Sequence, residues 1–349
     1  MKIEKKILAA VKENDIENVS KLIKTGVNIN YQDISGRTAL HLACFNRNIK
    51  MIDLLLSSGA NPEIKDIHKR IPVFAYYSSP WGANDSKASI TEKQFEMIQY
   101  FFEKKLLDLN TPYGGETLLT KAASSFNTSR PPERLLAILN WLLLGGADPN
   151  LPASGIEYPL HKACQSRGEF EKIKILIKNG ANVNVVNENG DTPFHSLLKS
   201  GFIGEGKVRK TEINKLLKSS KLLIEAGANC SIKGEYDKTV SDYAAMWKYW
   251  EILAILPYIE NTALLHCDQY YGENSLKTLK LLLTKKLNIN HTDKNGNTAL
   301  HISSANGIRP YVELLLQSNI DISLRNNQNK TALDLATEYN RKEIINLFN

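Results

Sequence analysis

With 349 residues, 42% hydrophobic and 23% charged, the chain has ample apolar material for a packed core. It offers no run of about eighteen apolar residues that would read as a membrane helix. Its formal charge of +7 is spread over 44 basic and 37 acidic residues, a bias toward acidic partners that does not by itself mark a nucleic-acid binder. Cys44, Cys164, Cys230 and Cys267 lie far apart with no CxxC pair, which argues against a disulfide framework or thiolate zinc site and fits a reducing compartment.

The chain opens with MKIEKKILAAVKEND, where Lys12, Glu13, Asn14 and Asp15 break the apolar run, so no secretory leader is expected. From Thr38 a pattern sets in. Thr38-Ala39-Leu40-His41 starts a short helix with the threonine as N-cap, and IKMIDLLLSS follows as a second helix with helical apolar spacing. Gly59 ends it in the left-handed conformation of a helix C-cap, and NPEIKD turns toward the next unit. The T-x-L-H start recurs at Thr192 and Thr298, with weaker copies from Ile71, Thr117, Tyr158, Thr239, Thr262 and Thr331. Pro159 and Pro193 take the first helical position, which tolerates proline. The G-A-N-x-N end recurs at Gly26, Gly59, Gly146, Gly180 and Gly227 and degenerates at Leu106, Lys286 and Asn319. Leu106 and Lys286 are expected to close their turns differently, because a side chain disfavours the left-handed state that asparagine visits more readily.

Spacing orders these motifs. Thr38 to Ile71 is 33 residues, Tyr158 to Thr192 is 34 and Thr298 to Thr331 is 33. A period near 33 carrying T-P-L-H-x-A resembles the ankyrin repeat, and the resemblance runs over nearly the whole chain. It implies an all-α solenoid of about ten helix pairs in one domain, residues 1–349. Residues 1–30 form an N-terminal capping unit, 31–256 irregular repeats with insertions, 257–326 further repeats and 327–349 a C-terminal cap. Three units are long, with extra sequence around SSPWGANDSKAS, SFNTSRPPE and SGFIGEGKVRKTEIN, each between first and second helix. The unit from Thr239 to Thr262 has only 23 residues and lacks the glycine turn. Its two helices are expected at Asp242 to Tyr249 and Trp250 to Leu256, stopped by Pro257. The missing turn predicts a weak junction there.

The candidate chemistry is sparse. His41, His161, His195 and His301 fill the T-x-L-H slot, where the resemblance implies a structural ring bonding neighbouring turns. His68, His266 and His291 match no ligand spacing. Cys44 and Cys164 sit where core packing is expected. Cys267 beside His266 and Asp268 does not make a catalytic dyad, since helix neighbours point apart. No phosphate-loop, dinucleotide or nucleophile-elbow motif occurs, so no enzyme, cofactor or metal is expected. The expected function is binding of another protein through the concave face and insertions. Candidate contacts are Phe45, Tyr77, Trp81, Phe126, Trp247 and Tyr270, because aromatic residues anchor interfaces, with Lys207, Arg209 and Lys210 of the one basic cluster. An enzyme-associated substrate-recognition subunit is the alternative, and a nucleic-acid binder through Lys207–Lys221 a third reading. The expected protein is a monomer by itself in the cytoplasm. Its wealth of lysine, asparagine and isoleucine, with its irregular units, is similar to effectors that intracellular bacteria send into host cells.

Overall fold

A computed structural model describes residues 3–75, 92–112, 115–124, 132–153, 156–166, 169–201, 210–266 and 273–348. Among them the regular structure is helical, apart from isolated bridge positions at Glu116 and between Ala153 and Glu157. Apart from the 3-10 turn Glu235–Asp237, the elements fall into ten successive pairs. The first four are Ile3–Lys12 with Ile16–Lys24, Ala39–Phe45 with Ile49–Ser57, the 3-10 turn Pro72–Phe74 with Glu92–Glu103, and Leu118–Ser124 with Pro132–Leu144. Pro159–Gln165 with Phe170–Lys178 and Pro193–Gly201 with Lys210–Glu225 follow, then Val240–Met246 with Trp250–Ile255. Ala263–His266 with Glu273–Leu283, Ala299–Asn306 with Arg309–Leu316, and Ala332–Glu338 with Lys342–Ile345 complete the array. The chain divides into two compact units, Met1–Lys162 with Lys178–Gly180, and Ala163–Ile177 with Ala181–Asn349.

The first helices start as the threonine pattern predicts. The Thr38 side chain accepts from the His41 amide while the Thr38 amide donates to His41 Nδ1 at 3.0 Å, a reciprocal capping box. Thr298 and His301 repeat it, and Thr239–Asp242 and Thr331–Asp334 build it with a carboxylate. Inside each unit the apolar faces meet. Leu40, Met51, Ile52 and Leu55 are fully buried in the first unit, and Phe194, Leu197, Ile252 and Leu253 in the second. Gly59 ends its helix at φ +90, and an added Cβ would meet nothing within 4 Å, so backbone conformation rather than space selects glycine. Asn319 takes the left-handed state at φ 56, as expected of asparagine. The Leu106 turn differs: Lys105, one residue earlier, is the left-handed residue at φ 56. No left-handed residue occurs at Lys286; the Leu287 amide instead donates to the Lys285 carbonyl at 2.8 Å.

The final asparagine of G-A-N-x-N has a role that sequence reading did not assign. Asn30 Nδ2 donates to the Gly59 carbonyl at 3.3 Å and its Oδ1 accepts from the Asn61 amide at 2.8 Å. Asn110 bonds Gly146 and Asp148 in the same way, and in the second unit Asn184 bonds Gly227 and Asn229. Each rung pairs one turn with the next. Glu63 occupies this place after Gly59, and a carboxylate cannot donate to a carbonyl. There a groove of about 1030 Å³ opens between Asn61–Glu63 and Leu106–Asp108.

The shortened unit sits inside the second compact unit. Its first helix begins at Val240, earlier than expected, and ends at Met246. The second, Trp250–Ile255, stops at an extended Leu256, the conformation that a following proline imposes. Although the glycine turn is gone, Asn261 Oδ1 accepts from the Asn288 amide at 2.8 Å, keeping half of a rung. Thr262 Oγ1 donates to Asp242 Oδ1 at 2.6 Å and the Glu260 amide to Ser241 Oγ at 3.0 Å.

Candidate functional site

The groups capable of chemistry are largely committed to the scaffold. Because Thr38, Thr192 and Thr298 amides donate to Nδ1 of His41, His195 and His301, each ring carries its proton on Nε2. That Nε2–H donates to the carbonyl of Arg70, Lys238 or Lys330, each at 3.1 Å, linking one unit's helix to the next unit's turn. Burial, which penalises the imidazolium, lowers the pKa of all three, His195 to about 4. Burial likewise pushes the Cys44 and Cys164 thiols upward, and Cys230 to about 11. The thiolate that chemistry needs is therefore disfavoured. His266 is lowered by burial and by Lys238, whose Nζ lies 3.2 Å from Nε2. Cys267 and Asp268 lie outside the described residues.

In the first compact unit, Phe45 ends the helix Ala39–Phe45 half-exposed. It lines a cleft of about 260 Å³ with Ser35, Arg37, Leu42, His68 and Arg70. The two arginines are each held by a carboxylate. Arg37 Nη2 donates to Asp33 Oδ2 at 2.9 Å and Arg70 Nη2 to Asp66 Oδ2 at 2.6 Å. Each carboxylate also accepts backbone amides within its turn, Ser35 and Arg37 on Asp33, His68 and Arg70 on Asp66. Burial pushes these carboxyls up, yet the arginine and amide hydrogen bonds outweigh it and hold both below the usual carboxylate range.

In the second compact unit, Trp247 caps the helix Val240–Met246 and is partly exposed. Its ring lies 5.0 Å from Tyr243 and 6.2 Å from Tyr249. Beside it Lys199 Nζ donates to Asp191 Oδ2 and, at 2.7 Å, to Glu235 Oε2, while standing 5.0 Å from the Tyr243 ring centroid. Burial would lower the ammonium pKa, but these carboxylates raise it. Sequence reading missed Lys199. The signal was available, since Lys199 follows Thr192 by seven residues as Phe45 follows Thr38.

Of the other candidates, Tyr77, Trp81, Phe126, Tyr270, Lys207 and Arg209 lie outside the described residues. Lys210 opens the helix Lys210–Glu225, and its side chain is likewise outside them. Further along that helix, Lys215 pairs with Glu212 at 3.4 Å and Lys218 Nζ lies 3.8 Å over the Phe170 ring. Among the described residues no cluster of histidine, cysteine and carboxylate suited to a metal occurs, and no helix is long and apolar enough to cross a membrane.

Comparison with known proteins agrees with the geometry. A model described as ankyrin repeats (many copies) matches residues 7–56 and 160–204, and one described as ankyrin repeats (3 copies) matches 265–348. An ankyrin repeat protein of Acanthamoeba polyphaga mimivirus is 28% identical over 213 residues, 50% of this chain and 26% of that protein. One of Fowlpox virus is 28% identical over 210 residues, 55% of this chain and 28% of its own length. An NAD-dependent deacetylase of Dictyostelium discoideum is 26% identical over 370 aligned positions, covering 95% of this chain and 45% of the enzyme. The chain thus spans less than half the length of each of these three relatives.

Proposed function

The chain belongs to the ankyrin-repeat family, and from that premise we propose that it is a non-enzymatic module binding a partner protein through the groove-side ends of its first helices and its insertions. One observation carries the reading: the T-x-L-H histidines His41, His195 and His301 are consumed in backbone bonds, whereas the seventh position after the threonine faces outward with Phe45 or Lys199. Aromatic and charged side chains that become buried on binding supply much of the energy of protein interfaces. Tyr77, Trp81, Phe126 and Tyr270 are proposed to extend the surface, with Lys207, Arg209 and Lys210 meeting acidic groups of the partner.

The finer reading is an effector acting on a host protein from the cytoplasm, supported by the irregular units and the lysine- and asparagine-rich composition. A second reading is favoured by the deacetylase relative, 95% of this chain aligning with 45% of that enzyme: a substrate-recognition segment serving an enzyme. Affinity capture followed by mass spectrometry tests both, with Phe45→Ala and Trp247→Ala as controls. Recovery of a partner that both variants still hold at full strength rejects the groove. Recovery of a catalytic subunit together with its substrate favours the second reading. Capture that collapses with added salt and is competed by nucleic acid points to the basic cluster instead.

A further inference from the structure

We infer that the first two turn tips, with the cleft beneath them, dock an extended partner segment in which an apolar side chain lies next to a carboxylate, an inference that rests on the binding role proposed above. The tips are built alike. The Gly36 amide closes the first on the Asp33 carbonyl at 2.8 Å, and the Lys69 amide closes the second on Asp66 at 2.9 Å. They are also joined: the Ile67 amide donates to the Ser35 carbonyl at 3.1 Å, and a Cβ on Gly36 would come within 2.8 Å of that nitrogen.

What these tips present is unusual for this chain. The residue after the turn's opening Asp or Asn is Glu188, Lys294 or Asn327 in three other units, polar side chains suited to solvent. In the first two tips it is Ile34, fully exposed, and Ile67, 63% exposed. Two neighbouring isoleucines held in water on rigid, hydrogen-bonded turns form an apolar patch without a partner inside the molecule. Beneath them lies the cleft that Phe45 lines.

Charge selects the occupant. In both ion pairs the carboxylate is the more buried member, 16% exposed against 37% for Asp33 and Arg37, and 0% against 11% for Asp66 and Arg70. The edge offered outward is therefore guanidinium. Lys65, His68 and Lys69 on the second tip are exposed, and neither tip, residues 32–37 or 65–70, carries an exposed carboxylate. An apolar lip above a cationic rim fits an acidic–apolar segment and repels a basic one.

The test is an array of short extended peptides, each with leucine or isoleucine flanked by aspartate and glutamate, by lysine and arginine, or by serine, probed with the full chain. The acidic set should bind, and the exposed-site double variant Ile34→Asp with Ile67→Asp should weaken it at least about tenfold with unchanged thermal unfolding. Arg37→Gln should weaken the acidic set selectively. Preference for the basic or serine set, binding that survives the double variant, or no binding in any set overturns the inference. The double variant is also carried through affinity capture. A captured partner that it retains while Phe45→Ala or Trp247→Ala loses it leaves the groove reading intact and rejects only these tips; a partner kept by all three variants rejects the groove reading as well.

Discussion

Acid should destabilise this protein well before its carboxylates are protonated, and His195 sets the magnitude. In the fold its ring is fully buried, accepts from the Thr192 amide at 3.1 Å and donates to the Lys238 carbonyl at 3.1 Å, so only the neutral ring satisfies both. Burial is the main cause of a pKa of about 4, opposed by Asp191 and Asp242 and assisted by Lys199. Unfolded, the same ring titrates near 6.5. Between these values the unfolded chain binds a proton that the folded chain refuses, so stability is complete above pH 6.5 and is lost as pH falls toward 4. The full gap is worth about 3 kcal/mol. His41 and His301, lowered by burial too, add to the loss in the same direction. Asp33 and Asp66 do not offset it, because their lowered pKa values keep them ionised throughout this window. Urea unfolding followed by circular dichroism from pH 7 to about 4.5 measures the effect. His195→Gln keeps an acceptor and a donor without a titrating ring and should flatten part of the slope. An unfolding midpoint equal at both ends of the range, or an identical acid slope in the variant, would refute the linkage.

Three further outcomes are expected. Asn184→Ala removes both bonds of one rung, and leaving the Gly227 carbonyl and Asn229 amide to water should cost about 1 kcal/mol; a loss below about 0.3 kcal/mol would mean the ladder is only a consequence of stacking. Phe45→Ala or Trp247→Ala should cost at least about 2 kcal/mol of affinity for a captured partner with little change in stability, read by calorimetry, and wild-type affinity in both would remove them from the interface. The division proposed at Pro257 predicts that amides of Ala299–Asn306 exchange with a smaller opening free energy than those of Pro193–Gly201; one shared value, carried by the Asn261 and Thr262 bonds across the short unit, would make these helices one cooperative block.

The parts legible in the sequence are those decided within a few residues. A threonine three positions before a histidine or aspartate writes the capping box, and a glycine after an apolar stripe writes the stop, so ten pairs could be counted from the chain alone. The parts that were hidden are decided by partners a whole unit away. Asn30 meets Gly59 across 29 residues and Lys199 meets Glu235 across 36, and nothing local marks either side chain as paired. The motif register shows that the Leu106 turn must close differently, but not that Lys105 takes the left-handed place.

The third position after each unit's start explains where the array is regular. Where it holds a side chain able to cap, the first helix is seven residues or longer: Ala39–Phe45 with His41, Leu118–Ser124 with Thr120, Val240–Met246 with Asp242. Two units lack such a side chain. After Ile71 the position is Phe74, and the helix shrinks to the 3-10 turn Pro72–Phe74 with no side-chain cap. After Thr262 it is Leu265, and Thr262 donates to Asp242 instead. In these two units backbone carbonyls take the first amides instead of a side chain: Phe74 donates to Ile71, and Ala263, Leu264 and Leu265 donate to Glu260, Asn261 and Thr262. Four residues beyond that buried position stand Phe45, Ser124, Lys199 and Met246: an aromatic ring, a hydroxyl, an ammonium and a thioether. In the regular units the inward slot holds side chains that satisfy the backbone. The outward slot meets no such demand, which leaves it able to differ from unit to unit, and a surface assembled from such slots can be specific for one partner while every unit keeps the same fold.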